Sequence, residues 1–171
     1  GSAKPAHFAH VLEVIRRRKT GAKMGQIIFI TGTDTGAGKT HFTAQMLAYL
    51  RGAGIAARAM KQFCSGNRGD VRRLQALQLG ELSDARMNPW RRKSSVAPGA
   101  SRACGPELPT VLAHIQKEAA DCELLLVEGV GGLMVPLTRN ALVMDVLAGL
   151  GCPAVVVARN SVWIRQKAVI H

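Results

Sequence analysis

Aromatic side chains make up only 4% of the chain, too few to lay out the stacking platforms that hold single-stranded nucleic acid. Long apolar runs are missing as well. No stretch of 18 consecutive apolar residues occurs, so no helical membrane span is expected. No C-x-x-C pair is present. The cysteines, Cys64, Cys104, Cys122 and Cys152, lie far apart in sequence and are expected to be free thiols in a reducing, cytoplasmic compartment. Acids are scarce: 11 Asp and Glu face 23 Lys and Arg, for a net charge of +12. Alone, that excess would suggest a polyanionic partner, but its distribution argues otherwise. Lys4, Arg16, Arg17, Arg18, Lys19 and Lys23 cluster against Glu13, and a second acid-free block runs from Arg86 to Arg102. The remainder is closer to balance, which fits a protein with two basic surface segments. Nucleic acid is therefore not the expected partner.

With 171 residues and 47% hydrophobic content, the chain can bury one domain core. Residues 1–23 read as an N-terminal extension with a short amphipathic stretch, and 24–171 as the domain. From Gln26 onwards, apolar runs of strand length alternate with helical periodicity. Strands are expected over 26–31, 54–63, 123–127 and 153–160, and helices over 41–52, 68–80, 107–120 and 140–151. The segment 86–106 has no clear period and reads as a long loop. Continuous apolar strands alternating with helices imply an α/β fold, a doubly wound, mainly parallel sheet between two helical layers. The pattern stops soon after the last strand, so a C-terminally truncated form of that fold is expected.

The stretch ITGTDTGAGKT (30–40) follows the first strand and opens a helix. Backbone N–H groups of such a loop wrap phosphate oxygens, and the helix start adds its positive end. Thr33, Asp34, Thr35, Gly36, Ala37, Gly38, Lys39 and Thr40 form the candidate phosphate cradle. Lys39 reaches the terminal phosphates, and the Thr40 hydroxyl suits Mg²⁺. The spacing departs from G-x-x-x-x-G-K-[ST], because five residues separate Gly32 from Gly38. No ribose-binding acid follows the second strand and no guanine-reading Asn-Lys-x-Asp occurs, so ATP is the expected nucleotide. Ligands of open α/β sheets bind at the carboxyl ends of the strands. Lys61 and Glu128 fall on that edge, after the second and third main strands. Thr40, Asp70 and Glu128 offer a hydroxyl and two carboxylates, a set that magnesium shares with phosphate oxygens and water. A competing reading has Asp70 as a cap for the helix that follows it. A second lysine beside a phosphate loop can hold an acidic substrate and stabilise a transferring phosphoryl group, with Ser65 close by. Cys64 has no activating histidine in view and reads as a packing residue.

FITGTDTGAGKT (29–40), KQFCSG (61–66), NRGDVRRLQAL (67–77), MNPW (87–90), LLLVEGVGGLMVPL (124–137) and PAVVVARNS (153–161) together resemble dethiobiotin synthetase, the ATP-dependent ligase of biotin synthesis. The resemblance implies a P-loop fold, a homodimer, and ring closure on 7,8-diaminononanoate with CO₂, ATP and Mg²⁺. One substrate amine would capture CO₂ as a carbamate. The carbamate would attack the γ-phosphate, and the other amine would close on the mixed anhydride. Lys39, Lys61 and Thr35 would face the reacting groups, Ser65 and Lys61 the substrate, and Thr40, Asp70 and Glu128 the metal. Gly36 stands where some members carry an acid, Gln62 where the family usually has proline, and VWIRQKAVIH (162–171) where a segment ending Ile-Asn-His is usual. Two other readings of the same loop are a dimeric switch ATPase of the partitioning type and a nucleotide-binding homologue with impaired catalysis. The switch proteins' additional loop lysine is absent, since Thr33 and Asp34 occupy that region.

Overall fold

The computed structural model describes residue 13 and residues 25–65, 68–92, 106–138 and 140–159. Strand β1 (Gln26–Gly32) carries QIIFITG and is buried along nearly its whole length. Strand β5 (Leu124–Glu128) is buried throughout. These uninterrupted apolar runs occupy the middle of a four-stranded sheet in the order β2-β5-β1-β6, where β2 is Ala57–Met60 and β6 is Ala154–Val157. Every pairing in this sheet is parallel, with Ile30 opposite Glu128 and Met60 opposite Val127. A strand buried on both faces has no polar side, which is why the sequence shows no alternation here.

Helix α1 (Lys39–Gly52) connects β1 to β2 and buries Thr43, Ala44, Met46, Leu47 and Leu50, one stripe at helical spacing. Helix α2 (Gly69–Leu77) packs beside it and buries Val71 and Leu74. Helix α4 (Leu108–Ala120) leads into β5, and helix α5 (Val143–Leu150) leads into β6. The β1–β2 connection steps across the sheet in the direction opposite to the β2–β5 and β5–β6 connections. Right-handed crossovers therefore place α1 on one face and α4 with α5 on the other. Helices α4 and α5 pack together. The result is the three-layer α/β arrangement expected from the sequence.

Two expected elements differ. The second strand covers only Ala57–Met60, because a turn at Gly54 (φ 80°) delays its start. Its expected end instead forms β3 (Phe63–Ser65), paired in parallel with β4 (Trp90–Arg92) in a separate two-stranded sheet. The start of the 86–106 segment is likewise ordered. A single-turn helix, α3 (Asp84–Met87), is capped where the Ser83 hydroxyl accepts from the Arg86 N–H at 3.4 Å. Elements of three or four residues are too short to show a period, so they were not legible. The segment 93–105, the 1–23 extension apart from Glu13, and the 162–171 segment lie outside the described residues.

Candidate functional site

The carboxyl ends of the parallel strands carry the sequence-predicted residues. The phosphate loop leaves β1 and enters α1 through Gly38, at φ 97° and ψ 18°. That left-handed conformation suits glycine, and no side chain caps the helix there. The first-turn N–H groups of α1 thus remain open to an anion. Thr33 N–H donates to the Val157 carbonyl at 3.1 Å, tying the loop to β6. Lys39 is 4% exposed, and its ammonium donates to the Asp34 carbonyl at 2.6 Å. It is folded back across its own loop. Burial and the nearby Lys61 charge lower its pKa, against the opposing pull of Glu128, Asp34 and Asp70.

Lys61 follows β2 directly and is 8% exposed. Its ammonium lies 2.8 Å from Glu128 Oε1, 2.6 Å from Asp70 Oδ2 and 3.2 Å from Thr40 Oγ1. Thr40 also donates its hydroxyl to Glu128 Oε1 at 2.6 Å. Burial alone would lower the Lys61 pKa, but the Glu128 and Asp70 carboxylates outweigh it and hold the pKa above its ordinary value. Burial similarly pushes Asp70 up, and the bond from Lys61 more than reverses that. Asp70 sits in the first turn of α2 but is not its N-cap, which is Arg68. Its carboxylate is turned to the lysine, so the capping alternative does not hold.

The oxygens around Lys61 make a hard-donor set: one hydroxyl and two carboxylates. Glu128 is 1% exposed, and its Oε2 has no hydrogen-bond partner. A buried carboxylate oxygen without a donor is costly, and a bound cation is one way to satisfy it. Among the described residues, no three His, Cys, Asp or Glu side chains converge tightly enough to hold a metal alone. A hydroxyl and two carboxylates are the donor chemistry that magnesium accepts beside phosphate oxygens and water. Among the described residues, the thiols offer no nucleophile here. Cys64 is buried in β3, and burial pushes the Cys122 thiol up to about 11.

Thr33, Asp34 and Thr35 line a groove of about 580 Å³ with Gly131, Gly132, Leu133 and Val135. A Cβ on Gly132 would stand 3.2 Å from the Gly32 carbonyl, so glycine lets the two loops approach closely. On the loop's other side, Arg159 Nε donates to the Gly36 carbonyl at 2.8 Å, and a Cβ at Gly36 would meet its guanidinium at 2.5 Å. Ala37 is buried. Ser65 ends β3 opposite Arg92, and its side chain lies outside the described residues. Sequence reasoning assigned no role to Arg159, to Asn88 or to the groove residues Leu133 and Val135. The glycine pair followed by apolar residues in VGGLMVPL was the available signal for the groove.

A parallel sheet with a glycine loop, an invaginated lysine and a threonine–carboxylate pair at its carboxyl edge defines a P-loop nucleotide-binding domain. Residues 26–168 match the family model described as "AAA domain", and the chain belongs to that family. It is 38% identical over 139 residues to the ATP-dependent dethiobiotin synthetase BioD of Anaeromyxobacter dehalogenans (strain 2CP-C), covering 77% of this chain and 62% of that protein. To the enzyme of the same name from Bacillus licheniformis it is 33% identical over 141 residues, covering 77% and 59%. The chain thus spans about three fifths of the length of the curated relatives it matches. Among solved structures, the hydrogenase maturation factor HypB from Archaeoglobus fulgidus aligns at 20% identity and a TM-score of 0.46, over 85% of this chain and 57% of that one.

Proposed function

We propose that this chain carries the ATP- and substrate-activating site of a carbon–nitrogen cyclo-ligase that forms dethiobiotin from 7,8-diaminononanoate and CO₂. The observation that carries the reading is Lys61, a second buried lysine held against Thr40, Glu128 and Asp70 beside the phosphate-loop lysine. A switch that only hydrolyses ATP has no need to invest a buried ammonium in a second anion. The curated relatives, named as ATP-dependent dethiobiotin synthetases, support the same direction.

The residues divide the work. The α1 N-terminus and loop N–H groups hold the triphosphate, and Lys39 exchanges the Asp34 carbonyl for phosphate oxygens. Thr40, Asp70 and Glu128 would hold magnesium, which when bound neutralises phosphate charge. Once these oxygens are taken, Lys61 is released toward the anionic carbamate and the γ-phosphate. It stabilises charge as a carbamate oxygen bonds to phosphorus and ADP departs. The second amine then attacks the carbamoyl carbon, phosphate leaves, and the ureido ring closes. Thr35 lies beside the groove, whose apolar wall offers room for the substrate's alkyl chain. Ser65 is a further substrate contact in this reading. The working form is a cytoplasmic homodimer.

The test is ATP turnover by the full chain. Phosphate release should require diaminononanoate and bicarbonate together, with dethiobiotin detected by mass. Hydrolysis indifferent to both substrates but stimulated by DNA would favour a partitioning-type switch instead.

A further inference from the structure

Lys61 lies one residue beyond the sheet. The last paired residue of β2 is Met60, opposite Val127, and β2 is an edge strand. Nothing in the ladder fixes the lysine's backbone, yet its side chain must span a buried path to three oxygens. The restraint comes from the MNPW segment (87–90). Lys61 N–H donates to the Met87 carbonyl at 3.1 Å. The Asn88 carboxamide Nδ2 donates to the Lys61 carbonyl at 2.8 Å, and both residues are buried. Trp90 N–H then donates to the Gln62 carbonyl at 3.3 Å, continuing into the β3–β4 pair. The peptide groups on both sides of the Lys61 Cα are thereby held, which fixes the direction of its Cα–Cβ bond.

The holding segment is itself anchored. Arg86 binds Glu118 of α4 through Nε at 3.0 Å and Nη2 at 2.7 Å. The Arg86 carbonyl lies 2.9 Å from His114 Nε2. The Trp90 ring stacks on Phe63 at 5.2 Å and meets His114 edge-on at 5.4 Å. Asn88 is thus a side chain on a fixed base, reaching across to a residue that lies just beyond the sheet ladder. Its Oδ1 is buried without a partner, so the carboxamide contributes here through its donor alone.

We infer that Asn88 is a positioning residue for Lys61: its carboxamide clamps the lysine's peptide group so that the ammonium is delivered to the Thr40–Asp70–Glu128 cluster. The inference rests on the role given to Lys61 above. It also assigns a task to MNPW, and it accounts for a defined loop with Gln62 after the lysine: hydrogen bonds from a neighbouring segment supply the restraint.

The test uses the full chain with Asn88→Ala and with the isosteric Asn88→Asp, which lacks the donor. Lys61 and Lys39 are acylated with an amine-reactive reagent and followed by peptide mass spectrometry. Folding is followed by circular dichroism, and Mg·ATP affinity by calorimetry. Both variants should label Lys61 roughly tenfold faster, the order expected for loss of one buried hydrogen bond, with Lys39 labelling and ATP affinity unchanged. In turnover, kcat should fall while KM for ATP holds. Wild-type labelling of Lys61, an equal rise at both lysines, or unfolding of both variants would overturn the inference. A Lys61→Met variant that keeps full substrate-dependent turnover would instead sink the proposed function, leaving the labelling result to stand by itself.

Discussion

At the residue scale, the site is a contest among cations for a few oxygens. The Lys61 ammonium holds Glu128 Oε1, Asp70 Oδ2 and Thr40 Oγ1. Removing it while keeping the acids leaves the buried Glu128 carboxylate without its ammonium partner, held only by the Thr40 hydroxyl among the bonds described. Lys61→Met is therefore expected to cost about 3–5 kcal/mol of stability in denaturant unfolding, and to raise Mg²⁺ affinity measured without nucleotide. The pH dependence follows from the directions of the shifts. The Lys61 pKa is raised, so its contribution is present below the unfolded lysine value near 10.4 and is lost as pH rises through the folded value. The Asp70 pKa is lowered, so its contribution is present above about 3.9 and is lost as pH falls through the folded value. The stability difference between wild type and Lys61→Met should be largest between those limits and shrink outside them. Gly38 supplies a cleaner backbone test. A Cβ there meets no atom within 4 Å, yet φ is 97°. Gly38→Ala should thus cost roughly 1–2 kcal/mol through conformation alone, read as a lowered denaturation midpoint with unchanged slope.

At the element scale, the support for the site is the single-turn helix α3 and strand β4, fixed to α4 by Arg86. Glu118 is 1% exposed and takes both of its bonds from that guanidinium. Arg86→Met should destabilise by roughly 3 kcal/mol, and adding Glu118→Leu should recover most of the loss, because the buried acid is no longer stranded and Asp121, the guanidinium's other partner at 2.8 Å, is exposed to solvent. Thermal and denaturant unfolding of the single and double variants measure this. The same elements mark where sequence reading stopped. Strands β1, β5 and β6 were visible as unbroken apolar runs, and α1 and α4 as helical stripes, so the sheet and its active edge were legible. The loop with Lys39 and Thr40 was legible because its chemistry is local. Lys61 and Glu128 could be placed because each closely follows or ends an apolar run. Asn88 was invisible in its role, since a carboxamide reaching back 27 positions leaves no periodic trace. Arg159 was hidden similarly: its partner is a backbone carbonyl 123 positions away. The β3–β4 pair was missed because three-residue strands carry too little pattern to separate from a loop.

At the scale of the whole molecule, the chain carries a net charge of +12, while the charges of the site itself are nearly compensated. Lys61 contacts Asp70 and Glu128 directly, and Lys39 feels the charge of both acids. A net charge of that sign favours association with an anionic nucleotide. ATP association should slow with ionic strength, yet substrate dependence of turnover should persist, and stopped-flow binding against steady-state turnover separates the two. In the proposed reaction a carbamate made from CO₂ attacks the γ-phosphate in this site. The most direct measurement is the fate of labelled oxygen. With ¹⁸O-bicarbonate, diaminononanoate and unlabelled ATP, the released phosphate should carry one oxygen from bicarbonate, and dethiobiotin should appear in step with it. Unlabelled phosphate, released at the same rate without the diamine, would contradict the account.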